Sequence, residues 1–354
     1  MQIAIITDTH FGIKNDAQYV LDYQEKFYKD IFFPCLIKNN IKQVFHLGDF
    51  FDRRKYVNFG TLSRTKKMFF DALHQNGINL TIIPGNHCVF HKNTNEVNSI
   101  DLLMSEYQNV NQLHGPSILE FDKVKFMFIP WINNENYKST MEYINSNDAD
   151  ILCAHLELNG FAMHAGHTCD TGMNTQPFAK FHAVLSGHFH HKSSKENIHY
   201  LGAPMEFTWS DYDDPRGFHI FDTETKGLTF VQNPYKLYEK YYYNDETPEA
   251  IDAIRNKDVS EFAEKIIRLY VIKKTKPAIF ESFIDSIYKQ PLHDFTIMED
   301  FSEFHESNVD IEIEESSTKE LMDKYVDGVD TDMNKLKIKS ILNNLYIEAL
   351  HVGN

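Results

Sequence analysis

Short apolar runs closed by turn-forming residues alternate with stretches of helical spacing through the first two thirds of the chain. Gln2–Thr7 (QIAIIT), Gln43–Leu47 (QVFHL), Asn79–Ile83 (NLTII), Val124–Ile129 (VKFMFI), Ile151–His155 (ILCAH) and Ala183–Ser186 (AVLS) are brief and nearly continuous in apolar character. Such runs predict strands covered on both faces. Between them, Tyr19–Lys38 and Thr61–Gln75 carry helical spacing; in the second, Leu62, Phe69 and Leu73 share a face flanked by Met68 and Ala72. Strands alternating with helices predict a layered α/β core.

The texture changes near Lys240. Thr247-Pro248-Glu249 supplies an N-cap, a proline for the first helical position and an acid for the first turn. A strand over Lys265–Ile272, a helix carrying Phe280, Phe283, Ile284 and Ile287, and a strand near Phe295–Met298 complete a small α+β unit expected to cap the core. Glu303–Asp332 is acidic and poor in aromatic residues, as in a linker or a solvated face. After it, Ile338, Ile341, Leu342, Leu345, Ala349 and Val352 form an apolar helical stripe, suited either to packing on its own domain or to docking another subunit. The expected division is 1–238 for the main domain, 239–302 for the cap, 303–332 for the acidic linker and 333–354 for the terminal helix.

With 354 residues, 42% of them hydrophobic, the chain can bury a full core and still build the accessory unit. No run approaches the ~20 apolar residues of a membrane span, and Met1–Thr7 enters a strand with no basic start or cleavage site. Cys35, Cys88, Cys153 and Cys169 form no CxxC pair, which excludes a zinc ribbon and places the chain in a reducing compartment, the cytoplasm. The net charge of −16 argues at first against nucleic acid. Its distribution weakens the objection, because fourteen acidic residues between Asp294 and Asp332 face only Lys319 and Lys324.

The chemistry lies at the strand ends. They read Asp8-Thr9-His10, Gly48-Asp49 with Asp52 beyond, Gly85-Asn86-His87, His155, and Gly187-His188-Phe189-His190. Ligands of open α/β sheets gather outside the carboxyl ends of the strands, so five strands would aim polar groups at one spot. Carboxylate, imidazole and amide oxygen suit a pair of divalent cations such as manganese, iron or zinc, and the missing thiolates disfavour a cysteine site. Asp-x-His and His-x-His would set two ligands on one side of an extended chain. Asp49 could bridge two cations ~3.5–4 Å apart, the separation that clamps both oxygens of a phosphoryl displacement. Glycines 48, 85 and 187 would let the backbone turn tightly there. His46, His74, His114, His199 and His219 are assigned packing or surface roles.

The set DTH, GDFFD, GNH, CAH and GHFH resembles the calcineurin-like metallophosphoesterase superfamily. Its order and spacing, with GAPMEFTWSDYDDPRGFHIFD after the last motif, are similar to SbcD-type nucleases, the exonuclease subunits of the double-strand-break repair complex, above all the version encoded by large tailed phages. The resemblance implies a four-layer α-β-β-α sandwich over roughly the first 235 residues. It also implies a DNA exonuclease and endonuclease acting in recombination, repair and replication. One divalent cation would be held by Asp8, His10, Asp49 and His190 and the other by Asp49, Asn86, His155 and His188, with manganese ahead of magnesium. His87 would contact the scissile phosphate and serve the leaving oxygen, while a water activated by the cations attacks. The implied partners are DNA, a second copy of the chain within a heterotetramer, and an SbcC-like ATPase docked through the C-terminal helix.

Two positions depart from the family pattern. Cys88 follows His87 where an aspartate is usual, so the carboxylate partner of His87 is absent or comes from elsewhere. Asp52 stands where the nuclease branch has a histidine, as an outer group of the catalytic set or as a change that shifts phosphate contact to Arg53, Arg54 or Lys55. Lys192 flanks the last motif as a further DNA contact. Tyr241-Tyr242-Tyr243 suits core packing more than base stacking. A phosphoprotein phosphatase or small-molecule phosphodiesterase and a DNA-end scaffold of faded activity are the competing functions.

Overall fold

Two six-stranded sheets lie face to face because each strand sends alternate residues to opposite sides. A computed structural model describes residues 1–164 and 167–299. The first sheet has the order β14 (Gly227–Gln232), β13 (Gly217–Asp222), β1 (Gln2–Ile6), β2 (Gln43–His46), β3 (Asn79–Ile82) and β4 (Val110–Gln112). The second runs β11 (Ser193–Lys195), β12 (Ile198–Tyr200), β10 (Ala183–Gly187), β7 (Ile151–His155), β6 (Val124–Ile129) and β5 (Ser117–Phe121). A two-stranded ribbon joins β8 (Ala162–His164) to β9 (His167–Thr168).

Ile3, Ile5, Phe45, Phe126, Phe128, Ile151, Cys153 and Leu185 fill the space between the sheets. Their neighbours Met127, Ile129, Leu152, Ala154 and Val184 point the other way, into a cluster that includes Ile144 of the helix Tyr137–Ser146. On the outer face of the first sheet, Phe218 meets Phe27 and Phe32, and Phe69 meets Tyr28. These rings come from the two long helical stretches, so the layers run α-β-β-α as the resemblance implied. Both stretches pass through a wide turn, Tyr28–Phe32 and Lys66–Asp71, where the aromatic rings crowd. The second begins at Phe59, two residues before the sequence suggests, because Asn58 accepts from Gly60 N at 2.8 Å and Thr61 N at 3.3 Å.

The third sheet is β15 (Tyr238–Asn244), β16 (Ile266–Lys273) and β17 (Asp294–Met298), all parallel. Parallel neighbours need crossovers, supplied here by Pro248–Asn256 and Pro277–Tyr288. Thr247 caps the first of these helices through Ala250 N, with Pro248 at its first position. Tyr243, Ile254, Ile267, Leu269, Phe280 and Phe283 form the local core. Tyr241 packs on Phe283, whereas Tyr242 stacks on Tyr270. Met1–Phe207 and Asp211–Met298 make one compact unit that holds every strand named here. The acidic stretch 303–332 and the helix expected over 333–354 lie outside the described residues. No helix among the described residues is long and apolar enough to cross a membrane.

Candidate metal centre

β1, β2 and β3 are mutually parallel, as are β6, β7 and β10, so within each sheet these strands deliver their carboxyl ends to one edge. Beyond the strands the first two loops stay paired: Asp8 N donates to Gly48 O, and His10 N to Asp49 O, each at 3.1 Å. The expected extended geometry of Asp-x-His and His-x-His is not what brings these side chains together. Asp8, His10, Asp49 and His188 have φ of +52°, +43°, +52° and +92°. Left-handed backbone at a non-glycine residue costs on the order of 1–3 kcal/mol and gathers at functional sites. Four such residues on one edge swing their side chains inward after the strands have ended.

The glycine expectation is corrected in the same way. Gly48 needs its φ of +100°, but Gly85 and Gly187 are needed for space. A Cβ on Gly85 would meet Asp49 Oδ1 at 2.3 Å, and one on Gly187 would meet Thr7 Oγ1 at 2.0 Å and Asp8 Oδ2 at 2.9 Å.

Asp8, His10 and His190 each place a ligand atom within 4.8 Å of the others, and so do Asp49, His155 and His188. Asp49 stands between these sets: Oδ1 accepts from His87 N at 2.7 Å, while Oδ2 lies 3.9 Å from His10 Nε2 and 3.3 Å from His155 Nε2. Asn86 Oδ1 lies 2.9 Å from both His155 Nε2 and His188 Nδ1. His155 Nδ1 faces the carbonyl of Leu47 at 2.7 Å. A carbonyl only accepts, so Nδ1 carries a hydrogen, and Nε2 meets the two oxygens with a proton when the ring is charged and with a lone pair when it is neutral. His10 Nε2 and His190 Nε2 likewise face each other at 3.0 Å. Acceptors converging in a buried cluster require protons or cations between them, and these donor types fit divalent cations.

The protonation balance shows the same demand. Burial opposes ionisation of Asp49, yet the charges of His155, His87 and His10 hold its carboxyl well below the usual range. Burial also disfavours charge on His155, but Asp49 and Asp8 raise it to about 9. Burial raises Asp8, whereas burial with the neighbouring His10 and Arg216 pushes His190 well down.

Asp52 and Cys88 occupy different kinds of place. Asp52 Oδ1 sits 3.3 Å from His10 Nδ1, the nitrogen turned away from the cluster, and the main-chain oxygen of Asp52 lies 2.5 Å from His87 Nδ1. That carbonyl occupies Nδ1 of His87, the ring whose expected carboxylate partner Cys88 replaces. Burial lowers His87, opposed by Asp49. Cys88 is fully buried and its thiol is pushed up to about 12, so it fills space.

The basic residues are less uniform. Arg53 is bound to Asp16 at 2.5 Å and lies over Tyr56, and Lys192 sits 3.9 Å from the centre of the Phe230 ring. Arg54 and Lys55 border an apolar hollow. Of the histidines set aside, His46 and His219 are buried and pushed down to about 3, His114 pairs with Asp101, and none joins the cluster.

Sequence reasoning passed over four contributors. Trp131 has its ring 5.1 Å from that of His188, and Phe207 lies 5.9 Å from His10. Glu157 Oε2 is 3.5 Å from His188 Nε2. Arg216 donates to the carbonyl of His190 and pairs with Asp211 and Asp214 at 2.8 and 2.7 Å. Only Arg216 left a signal, the lone base in the acidic run DYDDPRG.

A two-layer sheet core whose strand ends converge on paired acid and imidazole clusters defines a dinuclear metallophosphoesterase. Residues 1–192 match the calcineurin-like phosphoesterase family, and the chain belongs to it. The chain is 30% identical to exonuclease subunit 1 of Enterobacteria phage T4 over 353 residues, 99% of each chain. It is 24% identical to the DNA double-strand break repair protein Mre11 of Methanocaldococcus jannaschii, over 97% of this chain and 95% of that one. The SbcD component of the SbcCD nuclease of Staphylococcus epidermidis matches over 28% of this chain and 29% of its own, at 28% identity. The chain is therefore a hydrolase of the metal-dependent phosphoesterase class with a site for two divalent cations.

Proposed function

We propose that the chain is a metal-dependent DNA nuclease that hydrolyses phosphodiester bonds at duplex ends and in single strands. The observation that carries this is Asp49 Oδ2, aimed at once toward His10 and His155 in a buried ring of acceptors. The names of the full-length relatives supply the substrate class. Asp8, His10, Asp49 and His190 hold one cation, and Asp49, Asn86, His155 and His188 the other, with manganese the proposed metal. When bound, the cations polarise the phosphoryl group and make water acidic enough to attack at neutral pH. His87, fixed through Nδ1 by the Asp52 carbonyl, offers Nε2 to the phosphate and the leaving oxygen. The Asp52 carboxylate orients His10 as an outer partner of a ligating imidazole.

Arg54 and Lys55 are the proposed contacts to the DNA backbone, with Arg53 and Lys192 joining if they leave their present partners. An SbcC-like ATPase is the proposed partner, docked through residues 333–354, and cytoplasmic placement goes with it. A second copy is assigned to the apolar face carrying Phe59, Leu102 and Tyr56, which are 87%, 69% and 62% exposed. An exposed patch of large side chains of this kind marks an interaction surface.

The deciding experiment incubates purified protein with manganese and single-stranded or duplex DNA, with phosphopeptides and cyclic nucleotides as controls. Expected are cleavage of DNA and, for His87→Asn, a loss of about 10²–10⁴-fold with both cations retained, the range for removing a general acid. Intact DNA alongside hydrolysed phosphopeptide would replace this function with a phosphatase. Unchanged activity in His87→Asn would remove His87 from the mechanism.

A further inference from the structure

Trp131 is half-buried at the mouth of the metal site, with its ring 5.1 Å from His188 and 6.0 Å from His155. Its backbone is held from three directions. Trp131 N donates to the carbonyl of Pro84, the residue before the Gly85-Asn86-His87 loop, at 2.9 Å. Asn95 Nδ2 and Asn136 Nδ2 both donate to its carbonyl, at 2.8 and 3.0 Å. Asn133 Nδ2 in turn donates to Asn95 Oδ1 at 2.9 Å. Three asparagines and the residue before a metal-site loop therefore fix the backbone that carries this one aromatic side chain, although the ring belongs to neither core cluster of the sandwich.

Beside that ring lies a cavity of about 180 Å³ whose lining includes Trp131, Tyr137, Asn134, Glu157, Met173 and His155. It is smaller than the ~300–1,000 Å³ of sites for drug-sized ligands, and suits one planar ring system. Its lining includes a flat aromatic face, a thioether, a second aromatic that is 50% exposed, and the carboxylate of Glu157, whose Oε2 lies 3.5 Å from His188 Nε2. Aromatic faces stack on any base, and a carboxylate accepts from exocyclic amino groups. Because His155 lines the cavity and also faces Asn86 Oδ1 at 2.9 Å, the cavity adjoins the cluster of candidate metal ligands.

We propose that this cavity is a nucleobase subsite in which Trp131 stacks on an unpaired base adjoining the scissile phosphate, with Glu157 reading its amino group. The proposal rests on the nuclease function and deepens it, since a base must leave the helical stack to enter. Trp131 is a specificity-determining residue that touches substrate and takes no part in the bond-breaking step.

The test uses full-length protein with manganese and a set of single-stranded oligonucleotides of one sequence, each carrying one tetrahydrofuran abasic residue at a different position. For wild type, KM for the cut rises about tenfold when the abasic residue adjoins that cut on one side, the loss expected for one stacked base, while kcat stays within about threefold. Trp131→Ala raises KM on the intact strand by a similar factor and shows no further penalty from the abasic residue; Trp131→Phe retains most of the wild-type pattern. Equal KM at all abasic positions in wild type, a measurement independent of any variant, overturns the subsite while leaving the nuclease function in place. An undiminished abasic penalty in Trp131→Ala overturns the role of Trp131. Failure of wild type to cut any strand overturns the nuclease function itself.

Discussion

The two large sheets bring different chemistry to the same edge. The first delivers Asp8, Asp49, Asp52 and Asn86 together with His10 and His87, and three of those residues sit in left-handed backbone. The second delivers imidazoles, His155, His188 and His190, with Glu157 set outside them. Neither half supplies both sets by itself: the set Asp8, His10, His190 and the set Asp49, His155, His188 each take their carboxylate from the first sheet and at least one imidazole from the second. The acid-rich half shows its need through the raised carboxyl of Asp8, and the imidazole half through His155, raised to about 9 by Asp49, Asp8 and the carbonyl of Leu47, all from the first sheet. The gathering of these candidate ligands is thus a property of sheet packing, and Asp49 is the residue where the halves meet.

That division is broken most severely by Asp49→Ala. Losing the oxygen that faces both His10 and His155 is expected to lower phosphodiesterase activity by about 10⁴-fold, the several kcal/mol a shared cation clamp contributes, and to lower bound manganese below two per chain. Metal analysis with a cleavage assay checks it; two tightly held ions and activity within tenfold of wild type would show that the halves hold their cations independently.

Gly187→Ala attacks the same contact from the second sheet. Its Cβ would collide with Thr7 Oγ1 and Asp8 Oδ2 across the seam, so overpacking is expected to destabilise the fold by about 3 kcal/mol, read as a shifted denaturant midpoint. A midpoint equal to wild type would mean that the seam gives way freely. Asp52→Asn is gentler, because Asn keeps an oxygen for His10 Nδ1 but loses the charge. Activity is expected to fall about 10–100-fold, the usual range for the outer partner of a ligating histidine, with weaker manganese binding and an unchanged unfolding midpoint.

Much of this was legible in the residues. The strand runs Val124–Ile129 and Ile151–His155 match the observed elements, because continuous apolar runs of that length fit only strands covered on both faces. The strand-end acids and histidines were legible because their types are costly anywhere else in an α/β core. Left-handed conformations at Asp8, His10 and Asp49 were hidden, since aspartate and histidine adopt positive φ more often than most residues but still in a small minority of cases. Gly85 and Gly187 signalled turns although their cause is the space that another loop takes. Trp131 was hidden for a third reason: a single aromatic after a buried strand reads as core until its neighbours are known. The main-chain partner of His87 left no trace, because every residue carries a carbonyl.

Glu206 sharpens the contrast between the two halves by showing what a buried acid does away from imidazoles. It accepts from Leu237 N at 2.7 Å and Tyr238 N at 3.0 Å, where the chain enters the third sheet. Burial raises it to about 7 despite those two bonds, while Asp49 among its histidines lies well below the normal range. The folded chain therefore binds a proton here that the unfolded chain has released, between the ordinary glutamate value and about 7. Stability from this group is complete below that window and is lost as pH rises through it. Glu206→Gln removes the titration. Between about pH 6 and pH 7 the unfolding free energy of wild type should fall relative to Glu206→Gln by roughly 1 kcal/mol, given ~1.4 kcal/mol per unit at full effect. Denaturant titrations of both proteins at the two pH values measure it, and parallel behaviour would mean that Glu206 is already ionised, held by its two backbone donors as firmly as Asp49 is held by its imidazoles.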